Sequence, residues 1–71
     1  MDRITAMRVF AQVAANGSFS ATADQLELSR AMVTRCISEL EDWLDARLLQ
    51  RTTRKVSLTD AGEQFLLRCQ Q

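Results

Sequence analysis

The sequence predicts a mainly α-helical domain that contains one small β-hairpin, and three observations support this fold class. Apolar residues recur at helical spacing in three successive segments before residue 45. Two short β-prone runs, at residues 49–51 and 56–58, flank a polar turn. A final segment from residue 59 onward again has helical character. Because the chain has only 71 residues, it is one small domain or a piece of a larger protein.

The first helix is predicted to start at Ile4 and to bury Phe10 and Val13 on its inner face. Asp2 is a candidate N-cap for this helix, and Gly17 is placed to end it in the left-handed conformation. The chain therefore turns sharply after about four helical turns.

The second helix is predicted to be short, with Ser18 or Ser20 as its N-cap and with Ala23 and Leu26 facing inward. It is expected to stop near Leu28, which leaves a tight connection at residues 27–29 before the next helix. Two helices joined so closely are typical of a helix-turn-helix.

The third helix is predicted to follow a cap at Ser29. Its apolar stripe repeats at helical spacing and must face the other two helices. The stripe consists of Val33, Ile37, Leu40 and Leu44. Cys36 flanks the stripe and is expected to be an inert, small hydrophobic residue. Trp43 is expected to pack at the edge of the core or under the last helix.

The hairpin is predicted to consist of residues 49–51 and 56–58, with a turn at residues 52–55. Thr59 is the expected cap of a fourth helix, on which Ala61, Phe65 and Cys69 share one face. A helix of this length is marginal alone, so it packs back, frays or continues into a longer segment.

Composition excludes several classes of function. The chain has no histidine and only two cysteines, so it offers neither a zinc-finger ligand set nor a histidine-dependent catalytic triad. We expect no enzymatic activity, no metal and no cofactor. No apolar run approaches the roughly 20 residues of a membrane span, and charged residues interrupt the N-terminus. We therefore expect a cytoplasmic protein that makes no contact with a membrane.

The net charge is zero, yet the charges lie in blocks along the chain. Residues 29–35 carry a charge of +2, residues 36–45 a charge of −4 and residues 46–58 a charge of +4. The first half of helix three and the hairpin are therefore basic, and the second half of helix three is acidic. A DNA-recognition helix needs this asymmetry, because it enters the major groove with its N-terminus first.

The candidate DNA-binding residues lie in the two basic blocks. Arginine can bind both acceptors of guanine, threonine offers a hydroxyl and a methyl group, and alanine leaves room for a thymine methyl group. The hairpin tip can reach the minor groove or the phosphate backbone. The candidates are Ser29, Arg30, Ala31, Thr34, Arg35, Arg54 and Lys55.

Two simpler interpretations remain open for these basic residues. Arg30 and Arg35 alone are equally consistent with a solvated helix face. Arg51 is interpreted as a structural partner of Glu41 and is not counted among the DNA contacts.

Residues 10–62 resemble the DNA-binding domain of LysR-type bacterial transcriptional regulators. The residues that carry the resemblance are Phe10, Val13, the segment 17–23, Leu26, Ser29, Val33, Ile37, Leu40, Glu41, Leu44, Leu48, Arg51, Arg54, Val56, Leu58, Thr59, Ala61 and Gly62. The resemblance implies a winged helix-turn-helix that binds an interrupted dyad as a dimer. It also implies that Arg30, Ala31, Thr34 and Arg35 read the major groove and that Arg54 enters the minor groove.

The sequence departs from the usual family pattern at four positions. Arg30 and Ala31 stand where glutamine and proline are common, Thr22 where alanine is, and Asp45 where glycine is. The first two departures bear on the preferred DNA sequence. Asp45 is expected to strain the end of helix three if its backbone is left-handed.

The resemblance also implies two regions, a winged helix-turn-helix DNA-binding domain at residues 1–58 and the start of a truncated linker helix at residues 59–71. Family members continue into a long dimerisation helix and a domain that senses a small-molecule effector, so the effector would act only through a domain absent here. We expect double-stranded DNA as the partner and a homodimer that is weak in this chain. The alternative function is a winged-helix module that binds an acidic protein.

Overall fold

Four helices and one β-hairpin make up the computed structural model, which describes residues 2–51 and 56–69. The elements are α1 (Arg3–Asn16), α2 (Phe19–Leu26), α3 (Arg30–Leu44), β1 (Leu49–Arg51), β2 (Val56–Leu58) and α4 (Asp60–Cys69). The strands pair antiparallel, with Leu49 opposite Leu58 and Gln50 opposite Ser57. This architecture confirms the predicted fold class. The predicted turn at residues 52–55 lies outside the described residues.

Each helix begins at a short polar side chain that accepts a hydrogen bond from a free backbone amide of the first turn. Asp2 accepts from the Thr5 amide at 2.6 Å, and Ser18 and Ser29 each make the equivalent bond at 3.1 Å. Thr59 accepts from the Gly62 amide at 3.0 Å. All four predicted caps are confirmed, and Ser18 is the cap of α2.

The first three helices end in a left-handed residue, and two of the three are not glycine. Gly17 has a φ of 68°, Glu27 a φ of 56° and Asp45 a φ of 51°. A left-handed backbone costs a residue with a Cβ roughly 1–2 kcal/mol. The left-handed backbone at Asp45, on which the expectation of strain depended, is present.

The core lies where α1, α2, α3 and β1 meet. Its largest buried side chains come from α1, from α3 and from the segment at the start of β1. They are Phe10, Ile37, Leu40, Leu48 and Leu49. The predicted stripe of α3 is confirmed, with Val33, Ile37 and Leu40 buried and Leu44 packed against the core.

The predicted inner face of α2 is correct for Ala23 and wrong for Leu26. Leu26 is 36% exposed, and the inner face consists of Phe19, Thr22 and Ala23. The reason is that α2 ends at Leu26. Glu27 then turns the chain, and Leu28 packs against the core instead.

The described part of α4 packs back onto the domain, which is one of the three predicted alternatives. The Phe65 ring lies 5.5 Å from the Phe10 ring, and Cys69 also packs against the core. Ala61, predicted to share their face, is exposed, and the neighbouring Gly62 is buried. None of the helices in residues 2–51 and 56–69 has the length and apolar character needed to span a bilayer.

Trp43 lies at the edge of the domain and remains 45% exposed. The guanidinium of Arg3 lies 4.2 Å from the centre of its ring system, a cation–π geometry. The placement at the core edge is confirmed. The contact partner belongs to the first turn of α1.

Candidate nucleic-acid interface

The two central helices form a helix-turn-helix whose turn is only three residues long. The Leu28 amide donates to the Ala23 carbonyl at 2.9 Å, and Glu27 supplies the left-handed turn. Ser29 then caps α3. This geometry fixes α3 against α2 and leaves the N-terminal half of α3 on the surface.

The first three candidate residues lie at the start of α3. Ser29 is exposed, and its side-chain oxygen accepts from the Met32 amide, so it already serves as the cap. Arg30 and Ala31 are both exposed. Met32 lies beside them and is 37% exposed, although its position was not predicted to be part of the interface.

Thr34 and Arg35 lie one turn further along α3. Thr34 is half-buried, whereas Arg35 is exposed. The Nε atom of Arg35 donates to the Glu39 carboxylate at 3.3 Å. An exposed pair of this spacing stabilises a helix by only about 0.3–0.5 kcal/mol. The helix-turn-helix therefore brings Arg30, Ala31, Thr34 and Arg35 together at one end of α3.

The opposite face of α3 is buried, and its cysteine thiol has low reactivity. Cys36 is fully buried, and burial raises the pKa of its thiol, with the nearby Glu39 carboxylate as a smaller cause. Burial also raises the pKa of the Cys69 thiol. Because the reactive form of cysteine is the thiolate, both shifts reduce reactivity. The prediction that Cys36 is a small hydrophobic core residue is confirmed.

The acidic half of α3 includes one carboxylate with a structural role. Glu41 accepts hydrogen bonds from the amides of Leu48 and Leu49, at 2.8 and 3.3 Å. It thereby ties α3 to the first strand of the hairpin. The side chain of Arg51, the predicted partner of Glu41, lies outside the described residues. Asp42 and Asp45 are exposed further along the helix.

The base of the hairpin is joined to the start of α4 by hydrogen bonds of Thr59. The Thr59 amide donates to the Leu48 carbonyl at 3.0 Å, and the Thr59 hydroxyl bonds to the Arg47 carbonyl. Arg47 is exposed at the base of the hairpin. Arg54 and Lys55, the candidate residues of the tip, lie outside the described residues.

A polar cluster between α1 and α2 was not predicted from the sequence. Asn16 donates to Gln25 at 3.0 Å and to the Thr22 hydroxyl at 3.4 Å, and Gln12 also donates to Gln25. Thr22 is fully buried and donates to the Ser18 carbonyl. No local sequence pattern predicts this cluster, because its members lie up to 13 positions apart in the chain.

Among the described residues, no three histidine, cysteine, aspartate or glutamate side chains are grouped so as to hold a metal ion. An open apolar groove does lie between the end of α3 and α4, lined partly by Leu44, Leu48 and Phe65. It is separate from the exposed start of α3.

Comparison with known proteins gives consistent matches over nearly the whole chain. Residues 4–63 match the family described as bacterial regulatory helix-turn-helix protein, lysR family. A helix-turn-helix-type transcriptional repressor of Pseudomonas aeruginosa (strain UCBPP-PA14) is 47% identical over 70 residues, which are 99% of this chain and 22% of that protein. The transcriptional activator AaeR of Escherichia coli (strain K12) is 44% identical over 69 residues, or 97% of this chain and 22% of that protein.

A solved structure with the same fold contains DNA. The complex of the CbnR DNA-binding domain with DNA superposes with a TM-score of 0.92 and 34% identity, covering 99% of this chain and 79% of that chain. The chain spans about a fifth of the length of the two curated relatives.

Proposed function

This chain belongs to the LysR family of bacterial regulatory helix-turn-helix proteins, and from this premise we propose that it reads a specific DNA sequence with the first half of α3. It is the DNA-binding domain of a LysR-type regulator, a family of transcription regulators and not of enzymes. The wing, defined as residues 49–58, would contact the minor groove or the phosphate backbone through Arg54 and Lys55.

The separation of charge along α3 is the observation that best supports this proposal. Arg30 and Arg35 are exposed on its first half, and Asp42 and Asp45 are exposed near its end. A helix that enters the major groove by its N-terminus brings only the basic half close to phosphates. A face that was merely solvated would have no reason to segregate its charges in this way.

Selection of bound sites from random duplex DNA tests the proposal. We expect a recurring interrupted dyad, and a binding constant that falls with salt at a log-log slope of about −0.9 for each phosphate contacted. An interaction module for an acidic protein would instead select no sequence at any salt concentration. Failure to recover a recurring site would contradict the proposal.

Arg30→Gln is expected to change the preferred base at one position of each half-site. Arginine binds both the O6 and N7 acceptors of guanine, whereas glutamine pairs better with adenine, and such a contact supplies about 1–3 kcal/mol of discrimination. Non-specific affinity should fall only modestly through the lost charge. Selected-site profiles of parent and variant at fixed salt measure the change. Unchanged base preferences would remove Arg30 from the base-reading residues.

Arg54→Ala is expected to weaken binding to most duplexes and to flatten the salt slope by about one unit. The reason is that a wing arginine acts through phosphates and the negative potential of the minor groove. Titrations of a selected and a random duplex over a range of salt concentrations measure both effects. Binding equal to the parent at every salt concentration would show that the wing does not contact DNA.

The remaining parts of the proposal concern assembly. Two copies would bind the dyad together as a homodimer, and this dimer would be weak in the present chain because the last helix is too short to form a long seam. A small-molecule effector would act through a separate domain of the whole regulator. The site of action would be the bacterial cytoplasm, where the DNA lies.

A further inference from the structure

We propose that Glu39 is a positioning residue that holds the Arg35 guanidinium in the orientation needed to read a base. This inference rests on the proposed function, because it requires Arg35 to reach DNA. It assigns a role in specificity to an acidic residue on the surface of the recognition helix.

The orientation of the Arg35 guanidinium depends on which of its nitrogens binds Glu39. The bond to the Glu39 carboxylate is made by Nε, at 3.3 Å. Guanidinium has five N–H donors in a planar fork, and the two Nη atoms hold four of them. A carboxylate bound at Nε fixes the plane of the fork and leaves the Nη donors for another partner. Two parallel donors match the O6 and N7 acceptors of guanine.

The exposure of the pair agrees with this role. The Arg35 side chain is 70% exposed and the Glu39 side chain 44% exposed, so both lie on the surface and the arginine is the more accessible of the two. An arginine this exposed has many rotamers in solution, and fixing one of them on binding costs conformational entropy. A partner one turn away restricts those rotamers before DNA arrives.

The pair contributes little to helix stability. The arginine precedes the glutamate along α3, which is the less favourable order for an i, i+4 pair. Arg3 and Glu39 line the same surface pocket. The guanidinium of Arg3, however, lies over the Trp43 ring. A negative charge next to the proposed DNA contact also lowers affinity for phosphates. Glu39 therefore has a cost in binding strength that a gain in specificity would offset.

Four variants test the proposal against a matched control. Glu39→Ala removes the carboxylate, and Glu39→Gln removes the charge but keeps an oxygen that accepts from Nε. Asp42→Ala removes one negative charge from the same exposed face but lies seven positions from Arg35, beyond the reach of an i, i+4 pair. Arg35→Ala, alone and combined with Glu39→Ala, completes a double-mutant cycle.

The measurements are the affinity for random duplex and the preference for the selected base over its mismatches, at fixed salt. Glu39→Ala should raise affinity for random DNA, and Asp42→Ala, which lies further from the proposed contact, should raise it less. Only Glu39→Ala should lower the preference at the base that Arg35 reads, by about threefold. Glu39→Gln should keep most of this preference. Thermal unfolding curves should show all variants folded.

The outcomes separate this proposal from the function on which it rests. If Arg35→Ala leaves every base preference unchanged, Arg35 does not read a base and the proposed function fails at this residue. If Arg35→Ala removes a preference that Glu39→Ala leaves intact, only the positioning role is contradicted. If Glu39→Ala strengthens that preference, the carboxylate competes with DNA, which also overturns the proposal. In the Arg35→Ala background, Glu39→Ala should have no effect on preference.

Discussion

Replacing Gly62 with alanine should destabilise the domain by at least about 2 kcal/mol. A Cβ at this position would overlap the carbonyl oxygen of Leu48 and lie 3.0 Å from its carbonyl carbon. The oxygen cannot move aside easily, because it accepts the Thr59 amide that joins the hairpin to α4. In a domain this small, such a loss is a large share of the total stability. Chemical denaturation followed by circular dichroism measures it.

The sign of the stability change caused by Gly62→Ala distinguishes a steric clash from the effect of helix propensity. Alanine favours helix over glycine by about 1 kcal/mol, so without the clash the substitution would stabilise α4. Gln64→Ala, at an exposed position of the same helix, should change stability by less than about 0.5 kcal/mol. A Gly62→Ala protein as stable as the parent would show that α4 does not lie this close to Leu48 in solution.

Replacing Glu41 with alanine should cost about 2–3 kcal/mol of stability. The Glu41 carboxylate is the acceptor for the amides of Leu48 and Leu49, and both of these residues are buried. Without it, two backbone donors at the entry to β1 lose their partner in a region that water reaches poorly. Equilibrium unfolding in urea measures the loss of stability.

Two matched variants isolate the cause of the Glu41 effect. Glu41→Gln keeps a side-chain oxygen in place and should lose less than half as much stability as Glu41→Ala. Asp42→Ala removes an exposed neighbouring carboxylate and should be close to neutral. Equal losses for Glu41→Gln and Glu41→Ala would show that charge, and not hydrogen bonding, ties α3 to the hairpin.

Local chemistry made most of the fold predictable from the sequence. The caps at Asp2, Ser18, Ser29 and Thr59 are confirmed because each cap bonds within three residues of itself. Both strands are confirmed with their predicted bounds, since their β-prone runs stand out between two helical segments.

The errors came where the core depends on elements that are distant in sequence. Leu26 was expected inside because helical spacing puts it there, but spacing does not say where a short helix ends. The burial of Gly62 depends on the Leu48 carbonyl, which lies 14 positions earlier. The same limit applies to Glu41, whose two acceptor contacts are made seven and eight residues away.

The candidate interface was predictable in its location but not in its internal contacts. The start of α3 is exposed as expected, because the apolar stripe leaves only one face for solvent. The sequence assigned Glu39 to the acidic half of the helix and missed its bond to Arg35. The spacing of four between them was the available signal, but it does not specify which guanidinium nitrogen is used.

The division of charge along α3 also has a consequence for the approach to DNA. With nine basic and nine acidic residues, the domain has no net charge, so a distant duplex exerts little net pull on it. The duplex exerts a torque instead, because Arg30 lies at one end of α3 and Asp45 at the other. We expect this torque to turn the domain during diffusion so that the N-terminus of α3 arrives first. On the proposed function, collisions by the acidic end should separate quickly, so that most productive encounters begin with the basic end of α3.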